Sequence, residues 1–283
     1  MIKRRISSAL KPSHILLYTF LFIGSLTIFF PMYLTIVTAF KTPAEISKNF
    51  FTPPQTVYLD NFKYIIKRSE FLVYTKNSAI VTVVSIALIS VITPMTSYAI
   101  ARNMSNSRFY KGLYMYILLA LFVPFQVIML PLVFVLQRIR LMNLIGLIIC
   151  YLSFALPQAV FLYTGYIRSV PLELEESAFI DGCSVAQTFF RIVYPLIMPM
   201  TATIIILNAL WIWNDFLLPL LVLNKSSKIW TIPLFIFNFK SQYSFEANLA
   251  FAAFLLALVP IMILYAFMQK YIIDGLTKGA LKG

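Results

Sequence analysis

The sequence predicts an all-α membrane protein with six transmembrane helices and both termini on the inner side. Three observations predict it. Of the 283 residues 60% are hydrophobic and 12% charged, with a mean hydropathy of +0.86. Soluble domains carry about 25% charged residues, so the composition points away from a water-soluble globule. The apolar residues also come in blocks long enough to cross about 30 Å of hydrocarbon, which takes roughly 20 residues of helix. Lys and Arg sit mostly between these blocks, so the net charge of +13 reads as membrane-flanking rather than as a nucleic-acid footprint.

The blocks run Ile15–Phe40, Val73–Ala101, Tyr110–Leu136, Leu144–Ile167, Leu196–Leu223 and Leu249–Tyr271. Residues 1–14 form a basic N-terminus, 15–271 the six-span core and 272–283 a C-terminal tail. The first block is too long for a signal-peptide core and has no convincing small-residue cleavage site, so it reads as a retained span. Six spans contain prolines (Pro31, Pro94, Pro124, Pro131, Pro157, Pro219, Pro260), and kinks are expected there because proline removes a backbone donor. Neighbouring helices re-satisfy the freed carbonyls in a bundle. The loop after span one, with Pro43, Pro53, Pro54 and mixed charges, reads as an ordered exterior segment.

Orientation follows the distribution of Lys and Arg. With the N-terminus inside, 12 of the 23 lie on the inner side: Lys3, Arg4, Arg5, Lys11, Arg102, Arg108, Lys111, Arg168, Arg191, Lys270, Lys278 and Lys282. The other 11 count as outer, most of them in the long loops after spans one and five. The compact, acid-free cluster before span one tips the balance to N-in, C-in.

Catalytic chemistry has few carriers. Cys150 and Cys183 make no disulfide framework, and His14 is the single histidine, so neither zinc nor thiol chemistry is expected. No phosphate-binding G-x-x-x-x-G-K-[ST] loop occurs, so any ATP used must be bound by another chain. An intramembrane enzyme would need acids, histidines or nucleophiles clustered on one face. An ion-coupled secondary transporter would be expected to carry acids at mid-membrane, and Asp215 alone is available.

The polar loop between spans four and five carries the most information. It reads Ser169-VPLELEESAFIDGCSVAQTFFRIVYPLIM-Pro199. Ser169 is expected to cap a helix started by Pro171, with Glu173, Glu175 and Glu176 at its positive end. Gly182 permits the turn that ends it. Ser184 and Gln187 have capping-box spacing for a second helix, with Val185, Phe189 and Ile192 as its apolar stripe. Pro195 and Pro199 lead into span five.

This segment resembles the E-A-A loop of ATP-binding-cassette (ABC) importer permeases, whose pattern is E-A-A, three residues, Gly, then I-x-L-P. Here it reads Glu176-Ser177-Ala178, Asp181-Gly182 and Ile192-Val193-Tyr194-Pro195, departing at Ser177 and Tyr194. The resemblance implies that Glu176, Ser177, Ala178, Asp181 and Gly182 dock as a coupling helix into a cleft on a cytoplasmic ATPase subunit. The loop must then face the cytoplasm, which agrees with N-in, C-in. The competing reading of the segment is an amphipathic hairpin lying on lipid, which its acidic first turn opposes beside an anionic leaflet.

Two further stretches are similar to the carbohydrate-importing branch, in particular the smaller permease of maltose-type systems. One is Trp211-Ile-Trp213-Asn214-Asp215-Phe216 in span five, and the other is the tail Gly275-Leu-Thr277-Lys278-Gly279-Ala-Leu-Lys282-Gly283. The similarity implies a tail reaching the ATPases through Gly275, Thr277, Lys278, Gly279, Lys282 and Gly283, its glycines making it pliable. The bland alternative is a basic terminus attracted to lipid heads. It implies a second permease, two ATPase subunits that bind ATP and Mg, an extracytoplasmic solute-binding protein and a sugar, in a bacterial cytoplasmic membrane. No cofactor in this chain and no nucleic acid are expected, and membrane lipid is the surrounding partner. A polyol or glycerol-phosphate-type solute is the alternative cargo. Asn208, Trp211, Asn214 and Asp215 are the candidates for the translocation path or the permease interface, Asp215 serving either as a path residue or as an internal packing partner.

Overall fold

A computed structural model describes residues 12–68, 70–242 and 247–280, and among these every element is helical. The described parts of Met1–Ser69 and Phe239–Leu256 form one compact unit, and those of Glu70–Asn238 and Ala257–Gly283 the other.

The first unit opens with α1 (Pro12–Ala39), which is apolar all round and leaves Leu16, Phe20 and Phe22 exposed. Such a helix suits lipid on most sides. Its C-terminal end is tied down by polar groups. Asn61 donates to the Ala39 and Lys41 carbonyls at 2.8 and 2.9 Å, and Asn248 donates to Asn61 Oδ1 at 2.8 Å. Lys41, 1% exposed, gives its ammonium to the carbonyls of Asn49 and Phe50. Its buried charge is thereby solvated by backbone. A capping box between Thr42 and Glu45 starts α2 (Pro43–Lys48), and α3 (Asp60–Arg68) follows. Hydrogen bonding from the Thr42 backbone holds the Glu45 carboxyl below its ordinary pKa. The segment after span one is thus ordered, as the sequence suggests.

The second unit is organised by α4 (Phe71–Asn103) and α7 (Leu144–Arg168), packed along one another. Small side chains allow the close approach: Ser78, Ser85, Thr93 and Ser97 on α4, and Ala155 and Ala159 on α7, are all buried. Thr93 and Ser97 return their hydroxyl protons to the carbonyls four residues back, at 2.6 and 2.7 Å, so these polar groups cost little in an apolar core. Tyr151, Tyr163 and Ile167 complete it.

Span three departs from the single helix the sequence predicts. The segment forms α5 (Arg108–Leu119), a 3-10 turn and α6 (Phe125–Arg138), and the two arms meet at 104°. Pro124 lacks an N–H and biases its predecessor to extended backbone, and Val123 is indeed extended. At 12 and 14 residues, the arms are about 18 and 21 Å long, each short of the hydrocarbon thickness.

Span five is also interrupted. The loop after α7 contains α8 (Glu173–Ile180), α9 (Val185–Thr188), a π-helical turn Phe189–Val193 and α10 (Tyr194–Leu196), and the segment Val185–Leu196 meets α11 (Met198–Asn214) at 74°. Helix α11 stops at Asp215, and α12 (Leu217–Leu223) begins two residues on. After α13 (Ile232–Gln242) comes α14 (Ala247–Ala280). Among the described residues four helices are long and apolar enough to cross a membrane, and the two bent pairs are further candidates.

Helix α14 corrects the expectation of a pliable tail, because its backbone stays helical through Gly275, Thr277, Lys278 and Gly279. Two glycines spaced four apart cost about 1 kcal/mol each in a helix interior but do not break it. Lys282 and Gly283, and the basic cluster Lys3, Arg4, Arg5 and Lys11, lie outside the described residues.

Candidate functional site

The polar loop is a compact knob with one anchored face and one exposed face. Helix α8 ends as the sequence predicts. Gly182 has φ +82°, the left-handed region where glycine carries no side-chain penalty. Gly182 N–H reaches the Phe179 carbonyl at 3.1 Å, and Cys183 N–H reaches that of Ala178 at 2.9 Å. This pair is the Schellman closure of a helix end. Ser184 and Gln187 then exchange the two hydrogen bonds of a capping box, at 3.3 and 2.8 Å.

Two local expectations need correction. Ser169 starts no helix; it closes α7, giving its hydroxyl to the Tyr166 carbonyl at 2.7 Å, and Leu172 precedes α8 without a side-chain cap. The stripe Val185, Phe189, Ile192 does not form, because the chain widens into the π turn, with Tyr194 N–H bonded to the Phe189 carbonyl. Pro195 has no N–H for the carbonyl four residues back, and the turn before it widens accordingly. The extra residue shifts the buried face to Phe189, Val193 and Ile197, leaving Val185 exposed.

The anchor is Glu175, which the sequence does not separate from its two acidic neighbours. It is 1% exposed. Tyr98 donates to Glu175 Oε2 at 2.7 Å, and Arg102 approaches Oε1 with Nε at 2.8 Å and Nη2 at 2.6 Å. Arg102 also donates to the Val170 carbonyl at 3.1 Å, and the Tyr98 ring meets Phe189 at 5.1 Å. Helix α8 is therefore clamped to the C-terminal end of α4. The available sequence signal was reciprocal: a tyrosine and an arginine four residues apart at the end of span two, and an acid in the loop.

Of the coupling-loop candidates, Glu176, Ser177, Asp181 and Gly182 are exposed, whereas Ala178 is buried on the anchored face. Ile180 is 86% exposed at the tip, with Phe179 and Leu174 part-exposed around it. The exposed face of α8 thus carries both apolar and acidic side chains.

The second feature is a cavity of about 670 Å³ where the two broken spans open towards each other, lined by residues including Val123, Phe125, Phe154, Gln158, Trp211 and Asp215. Asp215 stabilises its own helix break, with Oδ1 accepting the Leu217 N–H at 3.0 Å and Oδ2 accepting the Tyr151 hydroxyl at 2.9 Å. The Tyr151 and Trp211 rings meet edge-to-face at 5.4 Å. Asp215 is thus both packing partner and cavity wall. Trp211 joins it there, but Asn208 and Asn214 do not: each turns its amide back onto the carbonyl four residues earlier. Trp213 is buried and donates to the Ala257 carbonyl at 3.1 Å. Among the described residues no cluster of potential metal ligands occurs.

Residues 92–278 match the family model described as binding-protein-dependent transport system inner membrane component. The chain is 42% identical over 266 residues to the multiple sugar-binding transport system permease protein MsmG of Streptococcus mutans, covering 94% of this chain and 96% of that protein. It is 37% identical to the probable starch degradation products transport system permease protein AmyC of Thermoanaerobacterium thermosulfurigenes, over 95% and 98% of the two chains. The diacetylchitobiose uptake system permease protein DasC of Streptomyces coelicolor is 34% identical over 93% of this chain and 94% of its own. In fold, the chain is similar to a crystal structure of a bacterial ABC transporter involved in import of the acidic polysaccharide alginate. The TM-score there is 0.78 at 20% identity, covering 91% of this chain and 95% of that one. The chain belongs to the binding-protein-dependent transport system inner membrane component family: it is a non-catalytic, multi-pass permease subunit of the bacterial cytoplasmic membrane.

Proposed function

We propose that this chain is one of two permease subunits in an ATP-driven importer that moves an oligosaccharide across the cytoplasmic membrane. The observation that carries the reading is the knob: a capped α8 with an exposed tip, held to a long transmembrane helix by a buried charged clamp. The names of the relatives suggest the cargo class, since they concern multiple sugars, starch degradation products and diacetylchitobiose.

In this reading α5 with α6 counts as one span and α11 with α12 as another, giving six with α1, α4, α7 and α14, and both ends and the knob lie in the cytoplasm. Residues 15–271 form the permease core. Two ATPase subunits hold ATP and Mg and receive Glu176, Ser177, Asp181 and Gly182 in a cleft, with Ala178 supporting them from beneath. The α14 residues Gly275, Thr277, Lys278 and Gly279, followed by Lys282 and Gly283, reach towards the same partners. A solute-binding protein delivers cargo from outside, and the second permease completes the path along Trp211 and Asp215. Closure of the ATPase pair moves the knob. The clamp passes that motion to α4, and ATP thereby biases inward against outward states. A glycerol-phosphate-type solute fits the cavity poorly, because its lining includes a carboxylate and, among the described residues, no Lys or Arg.

The test is reconstitution of the full complex in proteoliposomes with labelled maltotriose, raffinose and diacetylchitobiose. Uptake of at least one sugar should require MgATP, the ATPase subunits and the binding protein together. Uptake that persists without the ATPases refutes the proposal.

A further inference from the structure

Gln158 is the one carboxamide in α7, 14 residues after its start and 10 before its end. At 1.5 Å per residue those stretches are about 21 and 15 Å long, which puts it near mid-helix. A polar side chain at that depth is costly unless it meets a polar partner or a wet cavity. Gln158 is exposed, lines the cavity, and among the described residues has no hydrogen-bond partner. Four polar side chains on this helix and on α11 do have partners: Tyr151 bonds Asp215, Ser153 the Ile149 carbonyl, and Asn208 and Asn214 carbonyls of their own helix.

Its surroundings narrow what it meets. Tyr151, Phe154 and Gln158 recur at three and four residues, so they share one face of α7. Phe125 and Trp211 contribute aromatic surface from the two broken spans, and Phe125 meets Phe154 edge-to-face at 5.6 Å. Irregular backbone on two sides, at Val123 and Asp215, is tolerated at membrane depth where it borders a cavity. Volume also fits, since small-molecule sites run to about 300–1,000 Å³. A pyranose ring presents an apolar C–H face and a rim of hydroxyls. Aromatic faces suit the first. A carboxamide, which both donates and accepts, suits the second.

We infer that Gln158, with Phe154, Phe125, Trp211 and Asp215, forms a sugar-ring subsite within this chain, with Gln158 as its hydroxyl-contacting residue. The inference rests on the importer reading above. Its test uses the complete complex in proteoliposomes with saturating binding protein and labelled maltotriose or raffinose. Gln158→Leu should lower sugar taken up per ATP hydrolysed about tenfold, as expected for a lost hydrogen-bonded polar contact. Assembly and binding-protein-stimulated ATP hydrolysis should stay at wild-type levels. Gln158→Asn should recover part of the loss and alter the ratio of maltotriose to raffinose uptake, which a purely structural role would leave fixed. Wild-type uptake per ATP in Gln158→Leu overturns the subsite. So does loss of the partner permease from the purified complex, which would make Gln158 an interface residue. Failure of the wild-type complex to take up any sugar instead overturns the importer reading on which the subsite stands.

Discussion

The knob and the cavity are both interruptions of helical order, yet they are stabilised in opposite ways. At the knob, polar groups close the hairpin: the Schellman bonds at Gly182, the Ser184–Gln187 box, and a buried carboxylate with three donor contacts. At the cavity, the breaks at Val123 and Asp215 are held by few bonds, and Gln158 has none among the described residues. A region that transmits force needs stiffness, so its polar groups are consumed internally. A region that receives a changing ligand keeps polar groups in reserve.

The strongest way to break that contrast is to remove the clamp. Glu175→Ala leaves Arg102 and Tyr98 facing a vacated pocket, and stranding one member of a buried pair costs about 3–5 kcal/mol. Denaturation in detergent should show a loss of that size, with transport falling further than assembly. A loss below about 1 kcal/mol would mean that water replaces the carboxylate freely.

Next comes Tyr151→Phe at the cavity. It removes the one side-chain donor to Asp215 while leaving its backbone bonds, that from Leu217 among them. The expected cost is about 1–2 kcal/mol, since hydrogen bonds within membrane bundles are worth less than their isolated strength suggests. A cost equal to that of Glu175→Ala would erase the proposed difference between the two regions.

Gly182→Ala should have a smaller effect, about 1 kcal/mol, because a side chain at φ +82° is strained even though nothing lies within 4 Å of the added carbon. Thermal unfolding of the purified complex measures it. A neutral outcome would show the turn relaxing without glycine.

The sequence made the knob readable and hid most of the cavity, and the reason is physical. Capping and left-handed turns are local, so Ser184, Gln187 and Gly182 announce themselves within a few residues. Long apolar runs likewise give α1, α4 and α7 directly. The clamp joins residues 73 and 77 positions apart, and nothing local distinguishes Glu175 from Glu173 or Glu176. The break in span three was visible as Pro124, whereas the break at Asp215 was not read from the sequence. Proline alone predicts a kink of unspecified size, so a 104° bend was not readable from it. Asn208 and Asn214 looked like path residues because amides are rare in spans, but a helix can satisfy an amide on its own carbonyls. Gln158 escaped notice for the converse reason, since its significance lies in the partners it lacks.

The most direct test of the account is whether the exposed tip of α8 is where the ATPase subunits dock. Ile180→Asp places a charge on the 86%-exposed tip residue without touching the clamp, the Schellman turn or the capping box. The account predicts unchanged permease in the membrane, a fall of at least about tenfold in co-purifying ATPase (~1.4 kcal/mol of binding), and loss of ATP-dependent uptake. Wild-type ATPase recovery with wild-type uptake would contradict it.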